Sequence, residues 1–186
     1  MNVVLVGFRC AGKSSVGRAL AEKLKRDFVD CDEYIERKTD LTIREIFDIA
    51  GESYFRLVES DAVADLSKGD GLVLATGGGA VMRYKNIRNL KRNSVVVFLD
   101  VGPESAFERC QSDPKTQTRR PSLTGKDLFT EIREQVEFRR PYYLSAADLV
   151  VHTDGRPVEE VVKEILAHLK PLGVEEAHED GDAQIA

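Results

Sequence analysis

Apolar runs and helical patterns alternate along the chain, and most of the runs have the length and β-branched content of a buried strand. Helical patterns lie at about 13–25 and 157–169. Such alternation is typical of a parallel sheet that is covered on both faces. It predicts an α/β fold with a doubly wound five-stranded parallel sheet, helices on both faces, and ligands at the carboxyl ends of the strands. The predicted strands are NVVLV (2–6), DFVDCD (27–32), GLVLAT (71–76), SVVVFLD (94–100) and ADLVVHT (147–153).

Two segments interrupt this alternation. Residues 31–67 contain several helical stretches where one crossover helix would be enough, which predicts a helical substrate-binding insertion. Residues 111–126 are polar, contain two prolines and lack periodicity, and such a segment in a compact domain predicts a functional lid. Residues 1–170 form one predicted domain. Residues 171–186 are acidic and poor in large apolar groups, so we expect a disordered tail.

Composition limits the partners and the surroundings of the protein. The formal net charge is −5 with a pI near 5.4, and the basic residues are dispersed, which argues against a nucleic-acid partner. Neither a bilayer-spanning run nor a signal-peptide pattern occurs. The cysteines Cys10, Cys31 and Cys110 are odd in number and lack metal-ligand spacing, which is typical of a reducing compartment. We therefore expect a soluble, cytoplasmic monomer without a membrane partner.

The segment GFRCAGKSS (7–15) carries the pattern G-x-x-x-x-G-K-S between a strand and a helix, as in P-loop NTPases. Backbone N–H groups of such a loop bind phosphate oxygens, helped by the dipole of the helix. Lys13 is expected to bridge the outer phosphates of ATP, and the Ser14 hydroxyl to bind Mg²⁺. The alternative is a turn whose glycines serve only the backbone, and the Lys–Ser pair argues against it. The ATP-binding residues predicted here are Cys10, Ala11, Gly12, Lys13, Ser14 and Ser15.

The remaining pattern indicates which class of P-loop protein this is. A guanine-reading N-K-x-D motif is missing from the sequence, and the one D-x-x-G match, DIAG (48–51), lies inside a helical pattern with Gly51 as a helix end. A regulatory or motor ATPase would usually be longer. Size, lid and helical insertion together favour a small-molecule kinase.

Asp30 and Asp32 stand where the second strand turns into a helix. The turn allows the two carboxylates to separate, Asp30 toward Mg²⁺ and its waters and Asp32 toward the acceptor hydroxyl. A group that accepts or orients the hydroxyl proton is the main demand of phosphoryl transfer beyond positioning and charge stabilisation. The alternative is that Asp32 caps the helix that begins at Glu33.

Arginines supply the second candidate group. Arg56 and Glu59 are three residues apart on one predicted helical face, so an ion pair would fix the guanidinium. A solvated surface pair is the alternative, although apolar neighbours favour partial burial. Arg139 and Arg140 come at the end of a helix, just before Pro141. If Arg56 and Arg139 converge, they can bind a carboxylate in bidentate fashion.

A second glycine-rich segment, ATGGGAV (75–81), follows the third predicted strand. Without Cβ atoms, Gly77, Gly78 and Gly79 would allow a small hydroxyl-rich molecule to lie against the main chain. A flexible strand-to-helix turn is the alternative. Beside a phosphate loop, we expect this segment to form the floor of the acceptor site.

The ordered set of motifs resembles the shikimate kinase family over nearly the whole chain, to about Leu169. The motifs are GFRCAGKSS, FVDCDEYIE, YFRLVES, ATGGGAV, RRPSL and RRPYY. The resemblance implies transfer of the ATP γ-phosphoryl group to the 3-hydroxyl of shikimate, with Mg²⁺, giving shikimate 3-phosphate and ADP. It also implies that Asp32, Arg56, Gly78 and Arg139 hold shikimate, with Asp32 as the base. A kinase of another polyol or acid such as gluconate, and a non-catalytic nucleotide-binding module, are the alternatives.

The same resemblance implies roles for residues outside these loops. Arg120 matches the catalytic lid arginine over the phosphates, Arg109 would pack on adenine, and Pro157 would lie in the adenine loop. The chain departs from the family pattern at Cys10, where glycine is common, and in a longer lid segment. The acidic tail has no counterpart.

Overall fold

The computed structural model describes residues 1–112 and 127–174. The five strands are β1 (Asn2–Val6), β2 (Phe28–Asp30), β3 (Val73–Ala75), β4 (Ser94–Asp100) and β5 (Leu149–His152). The α-helices of these ranges are α1 (Lys13–Leu24), α2 (Cys31–Thr39), α3 (Ile43–Leu66), α4 (Tyr84–Leu90), α5 (Pro103–Ser112), α6 (Leu128–Ala146) and α7 (Val158–Leu169). None of the helices described is long and apolar enough to cross a membrane.

The strands form one parallel sheet in the order β2-β3-β1-β4-β5. The register places Val4 of β1 beside Leu74 of β3 on one side and Val96 of β4 on the other. This arrangement confirms the predicted doubly wound α/β fold. All five strands point the same way, so their following loops meet at one edge of the sheet.

The sheet interior is the core of the molecule. Every residue of β1 is buried, and β4 is buried from Val95 to Asp100. Central strands of a parallel sheet need apolar residues at successive positions because helices cover both of their faces. Helices α1 and α7 pack against each other, and α5 and α6 form a second packed pair.

Helices α2 and α3 occupy the predicted insertion and pack against each other. Thr42 caps α3 through a capping box with Glu45, which fixes the start of this helix. Gly51 interrupts α3 with φ 75 and ψ 175, a conformation that a residue with a Cβ adopts only with strain. The predicted helix end at Gly51 is therefore a sharp bend between two helical parts. The D-x-x-G match lies in this helix.

The predicted lid and the predicted tail both lie largely outside the described residues. The lid prediction falls on residues 111–126, of which only Gln111 and Ser112 are described, as the last turn of α5. The disordered tail was expected from residue 171, but a 3-10 turn spans Lys170–Leu172 and Val174 is buried at 3% exposure. Residues 175–186 lie outside the described residues.

Candidate active site

The phosphate loop connects β1 to α1 and makes its turn through residues with positive φ. These are Gly7 at φ 148, Cys10 at φ 62 and Gly12 at φ 91. Helix α1 begins at Lys13 directly after Gly12, so its N-terminal N–H groups border the loop. The Lys13 Nζ donates to the carbonyl oxygens of Gly7 at 3.0 Å and of Phe8 at 2.8 Å. The lysine therefore lies across the loop, and its role at the phosphates stays a prediction.

Asp30 connects the phosphate loop helix to α2. The Ser14 Oγ donates to the Asp30 Oδ2 at 2.8 Å. The other oxygen of Asp30 accepts from the backbone N–H of Asp32 at 3.0 Å, so Asp30 is the N-cap of α2. The alternative in which Asp32 caps a helix that begins at Glu33 is wrong, because α2 begins two residues earlier, at Cys31. Asp32 lies in the first turn, where the helix dipole favours a negative charge.

The second glycine segment follows β3 and lies against both predicted halves of the site. A Cβ on Gly77 would stand 2.6 Å from the Glu59 Oε1 and 3.0 Å from the Asp32 Oδ1. A Cβ on Gly78 would stand 3.3 Å from the backbone nitrogen of Arg9 in the phosphate loop. No φ of these glycines lies in the left-handed region. The segment consequently needs glycine for space and not for backbone conformation.

Arg56 lies beside the last glycine of this segment. A Cβ on Gly79 would stand 2.4 Å from the Arg56 Nη1. Arg56 pairs with Glu59 at 2.8 Å and Glu52 at 2.9 Å, and the Arg56 and Glu59 side chains are 13% and 0% exposed. The predicted Arg56–Glu59 pair is therefore confirmed, and it is buried. Burial alone would lower the pKa of Arg56, but Glu59 and then Glu52 reverse this and raise it.

Arg139 reaches the same segment from α6. Its Nη1 donates to the carbonyl oxygen of Gly78 at 3.4 Å, and its guanidinium lies 5.8 Å from the centre of the Phe8 ring. Arg56 and Arg139 thus border neighbouring glycines. The structure brings Arg56 and Arg139 to one segment, and their joint binding of a carboxylate stays a prediction.

Tyr143 is a site residue that sequence reasoning did not assign. Its hydroxyl donates to the same carbonyl oxygen of Gly78 at 2.6 Å, and its buried ring stacks on Phe98 at 5.0 Å. The prediction that the helix ends before Pro141 is wrong, because α6 continues to Ala146. Burial of Tyr143 and Ala146 offsets the hydrogen bond that Pro141 cannot donate. The spacing of four residues between Arg139 and Tyr143 was the signal for a shared face.

The two residues predicted to contact adenine lie around the loop that connects β5 to α7. Arg109, on α5, donates from Nη1 to the Thr153 Oγ1 at 3.2 Å, and from Nη2 to the Thr153 carbonyl. Pro157 is the N-cap residue of α7 and belongs to the same loop after β5. These two residues therefore lie around one loop. Arg120, the predicted lid arginine, is outside the described residues.

Two of the three cysteines are paired. Cys10 of the phosphate loop forms a disulfide with Cys110 of α5, with a Cα–Cα distance of 5.6 Å. Cys31 is the buried free cysteine. Burial, reinforced by Asp32 and Glu59, raises the pKa of the Cys31 thiol well above its usual value. The sequence-based expectation of reduced cysteines differs from this pairing, because a separation of 100 residues gives no local signal.

The oxygen atoms near Ser14 fit a magnesium ion. Mg²⁺ commonly binds one or two protein oxygens together with phosphate oxygens and waters. The Ser14 hydroxyl and the Asp30 carboxylate already lie within hydrogen-bonding distance of each other, beside the phosphate loop. Within residues 1–112 and 127–174, no group of three or more His, Cys, Asp or Glu side chains forms a protein-only metal site. The donor set therefore suits a metal that is held jointly with a nucleotide.

Known proteins share this sequence and this fold. The shikimate kinase family profile matches residues 9–170. A shikimate kinase of Symbiobacterium thermophilum is 42% identical over 173 residues, covering 93% of this chain and 98% of the relative.

Solved structures place the chain among the same proteins. The shikimate kinase of Acinetobacter baumannii in complex with shikimate superposes with a TM-score of 0.85 at 35% identity, over 94% of this chain and 95% of that one. A gluconokinase of Sinorhizobium meliloti, with a TM-score of 0.56 and 19% identity over 92% and 93% of the two chains, shares the fold alone. By the family profile and by a relative more than two-fifths identical over nearly its full length, the chain belongs to the shikimate kinase family.

Proposed function

We propose that the protein transfers the γ-phosphoryl group of ATP to the 3-hydroxyl of shikimate, and that the residues assembled around the two glycine loops perform this reaction. One observation carries the proposal. The segment Gly77–Gly79 is within contact distance of Asp32, of Arg56 and of the phosphate loop backbone at the same time. An acceptor that lies on this segment would have its reacting hydroxyl between a carboxylate and the phosphates.

The nucleotide side uses the loop and the helix that follows it. Backbone N–H groups of Cys10, Ala11, Gly12 and Ser15 bind phosphate oxygens in this proposal. Lys13 exchanges its two carbonyl contacts for the outer phosphates. At the other end of the nucleotide site, Arg109 and Pro157 contact the adenine.

The acceptor side recognises an anionic, hydroxyl-rich ring. Arg56 and Arg139 hold the carboxylate of shikimate, since planar guanidinium groups bind carboxylates in bidentate fashion. Glu59 fixes the Arg56 guanidinium in advance, which lowers the entropy lost on binding. The glycine floor lets the ring approach the main chain closely.

Asp32 is the residue that contacts the reacting atoms. Its carboxylate accepts a hydrogen bond from the 3-hydroxyl, orients the oxygen toward the γ-phosphorus and takes the proton as the new bond forms. Ser14 and Asp30 would hold Mg²⁺, whose charge when bound neutralises the phosphate oxygens. We assign Arg120 to the charge that develops on the transferred group.

The surroundings of the enzyme complete the proposal. We expect a cytoplasmic monomer that binds shikimate and ATP and has no membrane partner. We also expect no nucleic-acid partner, because the net charge of −5 does not attract a polyanion.

The test is acceptor-dependent ADP release. Shikimate should stimulate ADP release from Mg-ATP, whereas gluconate and a nucleoside monophosphate should not. Asp32→Asn should lower kcat at least about a hundredfold, with the Kd for ATP preserved, as expected for loss of general-base catalysis.

Asp40→Asn is the matched control. Asp40 is an exposed residue at the other end of α2 with φ 56, a conformation that Asn also accepts. This control should turn over normally. Turnover of gluconate in preference to shikimate would contradict the substrate assignment. Near-normal kcat in Asp32→Asn would contradict the role of Asp32.

A further inference from the structure

We propose that Cys10 and Cys110 form a redox modification site that controls how tightly the phosphate loop binds ATP. As a disulfide the pair holds the loop in its binding conformation, and as two thiols it lets the loop relax. This proposal rests on the nucleotide site proposed above.

The backbone of Cys10 is the first observation. Cys10 has φ 62, in the left-handed region where a residue with a Cβ is disfavoured. Among the described residues, the other non-glycine residues with positive φ are Lys25 and Asp40, and both are C-cap residues of helices. Helix ends commonly use that conformation, whereas Cys10 lies inside the phosphate loop. Something other than local preference must hold it there.

The disulfide supplies that restraint. The Cα–Cα distance of 5.6 Å between Cys10 and Cys110 lies at the usual separation of disulfide-bonded cysteines. Cys110 is 3% exposed in the last part of α5, so its position is fixed by the packing of that helix. The side chain of Cys10 is consequently directed toward α5, and the bond restrains the conformations open to its backbone.

A neighbouring contact localises the effect of reduction. Arg9 pairs with Glu131 of α6 at 3.7 Å, and the two side chains are 17% and 4% exposed. Adjacent residues of the loop are therefore tied to two different helices, one by charge and one covalently. Reduction removes the covalent tie alone, so the loop should relax after Arg9, where its N–H groups face the phosphates.

The position of Cys110 connects the bond to the whole nucleotide site. Its neighbour Arg109 bonds to Thr153 beside the predicted adenine loop. In the oxidised protein a covalent path thus joins the phosphate loop to the helix that carries the adenine contact. The spacing between the two ends of the ATP site is fixed before the nucleotide arrives, which lowers the ordering cost of binding.

The redox step is thiol–disulfide exchange. One thiolate attacks the sulfur of a low-molecular-weight disulfide, forms a mixed disulfide and releases one small thiol. The second protein thiol then attacks the mixed disulfide, closes the Cys10–Cys110 bond and releases the second small thiol. The protein loses two electrons and two protons, and the small disulfide gains them. A dithiol reductant reverses the step.

The experiment compares oxidised and dithiol-reduced protein. Thiols titrated in denaturant should number one in the oxidised form, since the pair is bonded and Cys31 is free, and three in the reduced form. Calorimetry without acceptor should then give a Kd for ATP at least about fivefold higher after reduction, the lower end of the left-handed penalty of a residue with a Cβ.

Variants separate the bond from the side chain. Cys110→Ala should bind ATP weakly in both preparations, because Cys10 is present but untethered. Of the two variants that lack the thiol of the loop, Cys10→Gly should bind ATP about fivefold more tightly than Cys10→Ala, since glycine adopts positive φ without cost. Neither should respond to the reductant.

Three results would overturn the proposal: three thiols in every preparation, an equal Kd in both redox states, or equal affinity of Cys10→Gly and Cys10→Ala. Failure of every preparation to bind ATP would instead contradict the nucleotide site itself. ATP binding without shikimate-dependent ADP release would contradict the proposed reaction. The comparison of the Kd for ATP between the two redox states would still test the redox proposal.

Discussion

Replacement of Gly79 by alanine tests whether the second glycine segment makes room for Arg56, the arginine that we propose to bind the acceptor. The ideal Cβ would lie 2.4 Å from the Arg56 Nη1 and 2.7 Å from its Cζ. Gly79 has φ −106 and ψ −3, outside the left-handed region, so alanine meets no positive-φ strain there. The substitution therefore acts through the contact alone. The guanidinium must move, although Glu59 and Glu52 both hold it in place.

The magnitude follows from the bond that is lost. A hydrogen bond to a charged group contributes about 1.5 to 3 kcal/mol, and most of this is lost when the displaced Arg56 guanidinium no longer aligns with the acceptor carboxylate. At about 1.4 kcal/mol per factor of ten, the KM for shikimate should rise roughly ten- to hundredfold. The unfolding free energy should also fall, because Glu59 is 0% exposed and would lose its partner. The KM for ATP should change little.

The other two glycines make the assay specific. Gly77→Ala directs its Cβ at the carboxylates of Asp32 and Glu59, so it should lower kcat. Gly78→Ala directs its Cβ at the backbone of Arg9, so it should raise the KM for ATP. Steady-state kinetics with both substrates varied distinguish the three patterns. The contact argument is refuted if all three variants show the same small change, or if Gly79→Ala leaves the KM for shikimate unaltered.

Three further predictions concern residues around the site and on the surface. Tyr143→Phe removes the hydroxyl that donates to the Gly78 carbonyl, and should cost about 1 kcal/mol of unfolding free energy in urea titrations and raise the KM for shikimate severalfold. An unchanged KM would show that Tyr143 has no positioning role. Burial raises the pKa of Cys31, so its thiol should stay protonated at pH 8 and react with iodoacetamide far more slowly in the folded than in the unfolded protein. Comparable rates would contradict its burial. Lys38 and then Lys68 hold the pKa of Asp65 below its usual value. The stability that this carboxylate adds is present above its unfolded pKa of about 3.9 and is lost as the pH falls through the lower folded pKa. Asp65→Asn should therefore flatten the decline of unfolding free energy below that pH, and an identical slope would argue against the assignment.

Features that depend on neighbouring residues could be predicted from the sequence. The strands β1 and β4 are continuous apolar runs because both faces of a central strand are buried. The Arg56–Glu59 pair follows from helical spacing. The phosphate loop follows from its glycines and the Lys–Ser pair between a strand and a helix.

Features that depend on packing between distant segments could not be predicted in this way. The cysteine pair joins residues 100 positions apart, and only the fold brings them together. Helix α6 passes through Pro141 because its last turn buries Tyr143, and propensity alone predicts a helix end there. The alternative of Asp32 as the cap placed the start of α2 at Glu33, two residues after its observed start at Cys31, and a local pattern does not locate a helix end more precisely than that.

The strand order explains why a chain that already has a phosphate loop carries a second glycine segment. In the order β2-β3-β1, the middle strand β3 separates the strand before Asp30 from the strand before the phosphate loop. Since parallel strands end at the same edge, the segment after β3 must lie between Asp32, which follows β2, and the phosphate loop, which follows β1. A side chain at Gly77 or Gly78 would press on Asp32 or on the backbone of Arg9, the groups on either side of the segment. The three glycines are thus a consequence of topology, and the same reasoning predicts that bulk is tolerated least at the position nearest the reacting carboxylate.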